Sequence, residues 1–509
     1  MEGITIGIDF GTTNTSVAYM KYDNTYMRFV PETFDLGEGR DDIIRSSITY
    51  MDEDRFWIGG DALNFSYKYP NRYIDSLKRQ VIQDELRNKS FGKKTEVDIL
   101  SDFFSETMKR IELQIPYESV VEGVAIGIPV GFKDRHKDIY LRALVKSGIY
   151  DNYELANKKT LFVSEPIAAV LNYNRTLSDN KRILVFDFGG GTLDLVIMDM
   201  KNIRTANELS PHDVISKKGK LDLGGNDLDM AILENIVIEK YGMRKLKKDL
   251  GISQFGDIWT VQEGIELMAN IKDAKEVLSR YEFATIAFEK GNLSMNLDIT
   301  REEYELAIAS YLDEIRDVVN GCLMSAGLRA NDIDIVVLSG GSSLTPSVQE
   351  LLGDIFGINK LQVDGSAMTS IARGLALRGH DSDANKYNDI LEHNYGVKIK
   401  DEHGKNVSIE YVLKKGEKIN DINIGEYHCN FELNRGTRNR NTFRVKICEN
   451  DEEIAEAHIP LTDDMINSQF KLYFTIDDDN KRLELHIDDL QWGKKVDIPM
   501  EYKFIDLNE

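Results

Sequence analysis

Ile4, Ile6, Ile8 and Phe10 alternate with polar or small residues, the period-two pattern of a strand with one buried face. Gly11 to Ser16 reads as a turn, and Val17 to Met20 as the returning strand. The same plan recurs far along the chain. ILVFDF (Ile183 to Phe188) runs into GGGT, and LDLVIM (Leu193 to Met198) returns. In each copy an aspartate, Asp9 or Asp187, stands two residues before the turn glycine, Gly11 or Gly189. Two such hairpins predict an internally duplicated, two-lobed fold. A third strand, Ile335 to Leu338, leads into Ser339-Gly340-Gly341-Ser342. Thr345 is placed to cap a helix whose first position is Pro346. Val348, Leu351, Leu352 and Ile355 give that helix one apolar face, and Gly357 is placed to end it. Gln262 to Arg280 reads as a further helix.

The pattern changes near residue 380. HDSDANKYND is polar and aperiodic, which predicts a linker over 381–392. Short alternating segments follow: SIEYVL, NFEL, FRVKI, KLYFTI and RLELHI. Charged or Asn/Asp-rich turns such as Asp477-Asp478-Asp479-Asn480 separate them. They predict a small antiparallel β domain over 393–509, with no long helix after it.

At roughly 150 residues per domain, 509 residues suggest two to four domains. The net charge of −23 argues against nucleic-acid or anionic-membrane partners, because phosphates and headgroups would be repelled. Three scattered cysteines (Cys322, Cys429, Cys448) with no CxxC fit a reducing cytoplasm. MEGITIGIDF lacks the basic and apolar regions of a signal peptide, and no run of about 18 apolar residues predicts a membrane span.

Phosphate binding needs backbone N–H groups aimed at one spot, and glycine lets the chain approach closely. Gly11-Thr12-Thr13 and Gly189-Gly190-Gly191-Thr192 supply such turns. An aspartate beside a phosphate is repulsive unless a hard cation lies between them, and Mg²⁺ with retained waters is the natural mediator. The third loop, Gly340-Gly341-Ser342, sits at a strand-to-helix junction that favours anions or sugar hydroxyls.

Five segments now carry a resemblance: GIDFGTTNTSVAYM, VSEPIAAVLNY, VFDFGGGTLDLVIM, LDLGGNDLD and VVLSGGSSLTPSVQELL. In this order they resemble the nucleotide-site segments of the DnaK-type heat shock protein 70 chaperones, over about residues 3–380. The resemblance implies an α/β actin-like (duplicated RNase H-like) two-lobed ATPase domain over 1–380, then a small all-β sandwich. It implies ATP/ADP with Mg²⁺, and K⁺ as an accessory ion. Asp9 and Asp187 match the metal-site aspartates, binding largely through water. Glu165 matches a glutamate near the ion and the attacking water, and Asp194 an aspartate of the same network. Thr12, Thr13 and Thr192 match phosphate-contacting threonines. Lys78 matches the lysine that stabilises the γ-phosphate. Gly224 and Gly225 match a further nucleotide-site segment, and Lys275 and Ser279 the helix that clamps the base. Pro129 matches a proline linked to coupling between lobes.

The departures fall at the base end and in the linker. Glu276 stands where an arginine follows the helix lysine, and Leu344 where an arginine follows the third loop. Neither replaces a guanidinium stacked on a base, which leaves nucleotide selectivity open, with Arg373 a candidate substitute. Asn226 stands where the family has an acidic residue. Ile390 and Leu391 are followed by Glu392 and His393 rather than by more leucines, which argues against transmission through the linker. No helical lid follows the β domain, so this reads as a divergent, lidless, bacterial-like member. The partners implied are unfolded or extended peptide segments, J-domain proteins and nucleotide-exchange co-chaperones. Two other readings compete with a general chaperone: a nucleotide-dependent scaffold with one dedicated partner, and a filament-forming actin relative or sugar kinase on the same fold. The β domain and the Glu165 segment count against the last pair.

Overall fold

The computed structural model describes residues 2–38, 42–83, 94–116, 119–174, 180–200, 212–291, 293–363, 368–380, 387–400, 407–424, 428–432, 442–460, 469–477, 482–489, 494–498 and 500–502. Residues 381–386 of the expected linker, most of the Asp477–Asn480 turn and residues 503–509 lie outside them.

The first hairpin pairs Glu2–Phe10 with Asn14–Asp23 in antiparallel register, setting Asp9 opposite Ser16. On its other side Glu2–Phe10 pairs in parallel with Ser119–Ile128, which in turn pairs with Thr160–Ser164. Arg28–Thr33 closes the other edge. The second hairpin repeats this plan. Lys181–Phe188 pairs antiparallel with Leu193–Met200, setting Asp187 opposite Asp194. It pairs in parallel with Ile335–Ser339, which pairs with Leu361–Val363, and His212–Lys220 flanks Leu193–Met200. One five-strand order therefore occurs twice. Ile183 to Phe186 are fully buried, as a strand covered on both faces requires.

Two helices lie between these sheets. Glu165–Asn174 follows the last strand of the first sheet, and its Ile167 and Ala168 pack with Ile183, Val185 and Val196 of the second. Ser370–His380 follows the last strand of the second sheet, and its Ala372 and Ala376 pack with Ala18 and Met20 of the first. The helices cross where a side chain on Gly374 would overlap the Ala168 backbone. Aromatic packing fixes the first turn: the Phe10 ring lies 5.3–5.8 Å from those of Phe103, Phe104 and Tyr140.

The C-terminal part forms a five-stranded and a four-stranded antiparallel sheet. Val397, Ile447 and Ala455 from one meet Phe474, Ile476 and Leu485 from the other in one core. The five expected segments fall on the strands Val407–Leu413, His428–Glu432, Thr442–Glu449, Gln469–Ile476 and Leu483–Asp489, with Leu433 outside the described residues and Arg482 just before its strand. Glu452–Pro460 was not expected as a strand, nor Ile419–Ile424 as a short helix. Cys322 and Cys448 are buried free thiols. Among the described residues no helix is long and apolar enough to cross a membrane.

The expected polar tether behaves differently. Tyr387 and Asn388 pair with His212 and Asp213, extending the second sheet. Ile390 packs into the core between the two sheets, and Leu391 into the C-terminal core. Arg482 reaches back to donate to the Tyr153 hydroxyl at 2.5 Å.

Glu449 lies in this contact region, 2% exposed, and accepts a hydrogen bond from the Tyr395 hydroxyl at 3.1 Å. Burial, and then the Asp134 charge, push its carboxyl up to about 8, with the Lys137 ammonium offsetting part. The fold thus favours the protonated acid. That advantage is whole below the ordinary value of 4.5 and is lost as pH rises towards about 8. Thermal melts between pH 5 and 8 are expected to show Glu449→Gln gaining on the wild type as pH rises, by more than ~1 kcal/mol at the upper end.

Candidate functional site

Both turns close with the same backbone hydrogen bond, from Gly11 N–H to the Asn14 carbonyl at 3.1 Å and from Gly189 N–H to the Thr192 carbonyl at 3.2 Å. The turns face each other. A side chain on Gly190 would overlap Thr13, and one on Gly191 would lie 2.5 Å from Thr12 Oγ1. The other loops are tied to the second turn. Gly225 N–H donates to the Gly189 carbonyl at 2.9 Å, and Asn226 N–H to the Gly190 carbonyl at 2.8 Å. Ser342 Oγ donates to the Gly189 carbonyl at 2.9 Å. Gly340, at φ +76°, lets the third loop turn against the Phe188 carbonyl.

Four buried carboxylates line the same place: Asp9, Glu165, Asp187 and Asp194. Oxygens of Glu165, Asp187 and Asp194 lie within 4.8 Å of one another. Asp194 is fixed by the Val130 N–H and the Thr192 hydroxyl, each at 2.8 Å. Lys78, 1% exposed, donates to Glu165 Oε1. Glu165 opens its helix, where the exposed N–H groups favour negative charge. Burial first, then the Glu165 charge, raise the carboxyls of Asp9, Asp187 and Asp194; Asp187 reaches about 7. Such a cluster of repelling, dehydrated acids fits a hard divalent cation. The trio differs from the expected pair, since Asp9 stands beside it and Glu165 and Asp194 enter it.

Several contributors were not visible in the sequence. Ser76, just before the helix Leu77–Ile82, sits at φ +56°. Its hydroxyl accepts a hydrogen bond from Asn226 Nδ2 at 2.8 Å, so a residue of the second half holds the strained backbone that aims Lys78. An acid at 226 could not donate. Arg79 grips Asp227 with two bonds of 2.8 and 2.9 Å, a second tie across the cleft. The Tyr140 hydroxyl is buried with no partner among the described residues, and burial, Glu165 and Asp9 raise its pKa.

Lys275 is committed to the Gly225 carbonyl at 2.8 Å and to Asp229 at 2.7 Å. The Ser279 hydroxyl donates to its own helix at the Lys275 carbonyl, 3.3 Å away, so the structure does not tie it to the loops. Glu276 is exposed. Leu344 and Met368 are partly exposed at the third loop, with Met368 Sδ 3.9 Å from the Gly341 Cβ position. Arg373 Nε is buried without a partner among the described residues.

With this geometry in place, residues 86–458 match the family model described as Hsp70 protein. That is well over half of the chain, and the chain belongs to the Hsp70 family. Its fold is accordingly the actin-like ATPase fold of that family, whose members are chaperones. The match takes in Glu165 and the second and third loops, and it runs on through 387–392 into the C-terminal sheets.

A side chain on Gly224 would lie 2.5 Å from the Gly190 carbonyl oxygen, and the obstruction is backbone. Gly224→Ala is therefore expected to cost about 1–3 kcal/mol in melting experiments and to weaken ADP binding by calorimetry.

Proposed function

We propose that this chain is an ATP-hydrolysing chaperone of the Hsp70 type. In this reading residues 1–380 form a two-lobed ATPase domain, 381–392 a linker, and 393–509 a β-sandwich that binds extended peptide segments. The observation that carries the reading is the set of glycine loops tied around Glu165, Asp187 and Asp194, with Lys78 against Glu165.

The backbone N–H groups of 11–13 and 189–192 would bind the phosphates, aided by the hydroxyls of Thr12, Thr13 and Thr192. Mg²⁺, when bound at the carboxylate trio with Asp9 beside it, supplies positive charge against the phosphates. Lys78 provides the ammonium that offsets negative charge in a loose phosphoryl-transfer transition state. Glu165, paired with Lys78 at the start of its helix, is suited to hold the attacking water. Asp194, fixed by Val130 and Thr192, keeps that network in register. No described feature favours the dedicated-partner scaffold.

The linker supports coupling despite its lost leucines. Val130 N–H holds Asp194 at 2.8 Å, and the next amide, Gly131 N–H, donates to Glu392 Oε2 at 2.6 Å. Lys217 reaches Glu392 at 2.8 Å and Asp389 at 2.7 Å. Burial would lower the Lys217 pKa and raise that of Glu392; the charges of Asp389 and then Glu392 raise the first, and the Lys217 charge lowers the second. The segment after Pro129 thus touches the hydrolytic network and the linker through adjacent amides.

Lys78→Ala is expected to lower steady-state ATP turnover by at least ~100-fold. Full turnover by a folded variant would remove Lys78 from the mechanism. Unfolded peptides are expected to stimulate turnover of the wild type, and a flat response to every peptide would reject the chaperone reading. Glu392→Ala is expected to abolish most of that stimulation, read as the ratio of rates with and without peptide.

A further inference from the structure

Between the two halves a cleft of about 460 Å³, open solvent included, is lined by Arg45, Tyr73, Asp75, Asn226, Asp229 and Lys272, among others. Arg45 ends the strand Ile43–Arg45 of the first half, and Lys272 lies on the helix Gln262–Leu278 of the second. Among the described residues neither cationic head forms a hydrogen bond or ion pair; the Arg45 bond to Glu38 is made by its backbone N–H. Asp229 is already held by Lys275 at 2.7 Å. Asp75 is the other carboxylate of the lining, and it leaves the pair with one positive charge in excess. Asp273 and Glu276, the next acids along the helix, are both exposed. Burial and then the Arg45 charge lower the Lys272 pKa, with Asp75 and Asp229 offsetting part.

Two cations facing a single uncommitted carboxylate in one cavity are unusual in a chain of net charge −23. An anion seated between them would relieve their repulsion and accept charge-assisted hydrogen bonds from both. The cavity adjoins the proposed nucleotide site on two sides. Asn226 follows the loop glycine Gly225, and Lys275 lies one turn along the helix from Lys272. We propose that Arg45 and Lys272 form a phosphate-binding subsite beside the sugar of the bound nucleotide. It would take a phosphate carried on the ribose or a free phosphate ion lodged against it.

The inference rests on the nucleotide reading, and calorimetry on the full chain separates the two. ADP is compared with ADP carrying a 3′-phosphate, for the wild type, Arg45→Gln and Lys272→Gln, each checked for folding by its melt. The wild type is expected to bind the 3′-phosphorylated form roughly tenfold more tightly, and the ratio to fall near one in both variants. In a second arm, inorganic phosphate is titrated into ADP-saturated protein. Binding there that is lost in both variants, with no 3′-phosphate preference, assigns the free ion as the source. Wild-type protein that binds ADP, shows no preference and takes up no phosphate in a variant-sensitive way overturns the subsite alone. Failure to bind ADP at all overturns the nucleotide reading and this inference with it.

Discussion

Asp9, Glu165, Asp187 and Asp194 are buried around one cleft, and Lys78 is the cation that Asp9, Glu165 and Asp187 share. Removing a carboxylate from water costs several kcal/mol unless its charge is answered. Much of the surrounding structure answers it. Lys78 meets Glu165, the start of the helix Glu165–Asn174 adds its N–H groups, and Val130 with Thr192 holds Asp194. The balance remains incomplete, which is why the three aspartates retain raised pKa values. A protein that keeps such an imbalance holds a site prepared for added positive charge. The lysine is itself aimed by strain, since Ser76 takes a left-handed backbone that Asn226 secures from the other half. The two halves are thus tied at Lys78, the residue proposed to act on the phosphates.

The paired glycine turns were legible in the sequence for a simple reason. A hairpin with a period-two face and a glycine turn writes itself locally, and the chain contains two of them. The matched registers, Asp9 with Ser16 and Asp187 with Asp194, follow from the turns. The crossing of Glu165–Asn174 and Ser370–His380 was not legible, because each helix packs on the sheet it does not follow in sequence. Glu452–Pro460 escaped because two of its four described buried positions are alanines, Ala455 and Ala457, and a third is the acid Glu456. Ile419–Ile424 is β-branched in composition and helical in fact, with Ile419 and Ile422 buried three residues apart. Tertiary packing overrode propensity there.

The linker shows the same limit with functional weight. Read as composition, Tyr387 to Glu392 lacks the apolar run that would dock it. Read as structure, it docks by other means: a short parallel strand against His212 and Asp213, one apolar residue into each adjoining core, and a buried triad of Lys217, Asp389 and Glu392. A charged clamp differs from an apolar one in kind. Losing one partner leaves the others buried and unpaired, so it resists partial loosening and releases as a unit.

The base end follows a related logic. The helix Gln262–Leu278 turns Lys272 and Lys275 towards the cleft and leaves Glu276 in solvent. Lys275 is fully engaged by Gly225 and Asp229, so it braces the loop and has little left to offer a base. Leu344 and Met368 give the third loop an apolar rim where a guanidinium would have stacked. Base recognition by this rim would rest on apolar contact, which discriminates poorly between purines. Selectivity would then shift from the base towards the cleft in which Arg45 and Lys272 face Asp75.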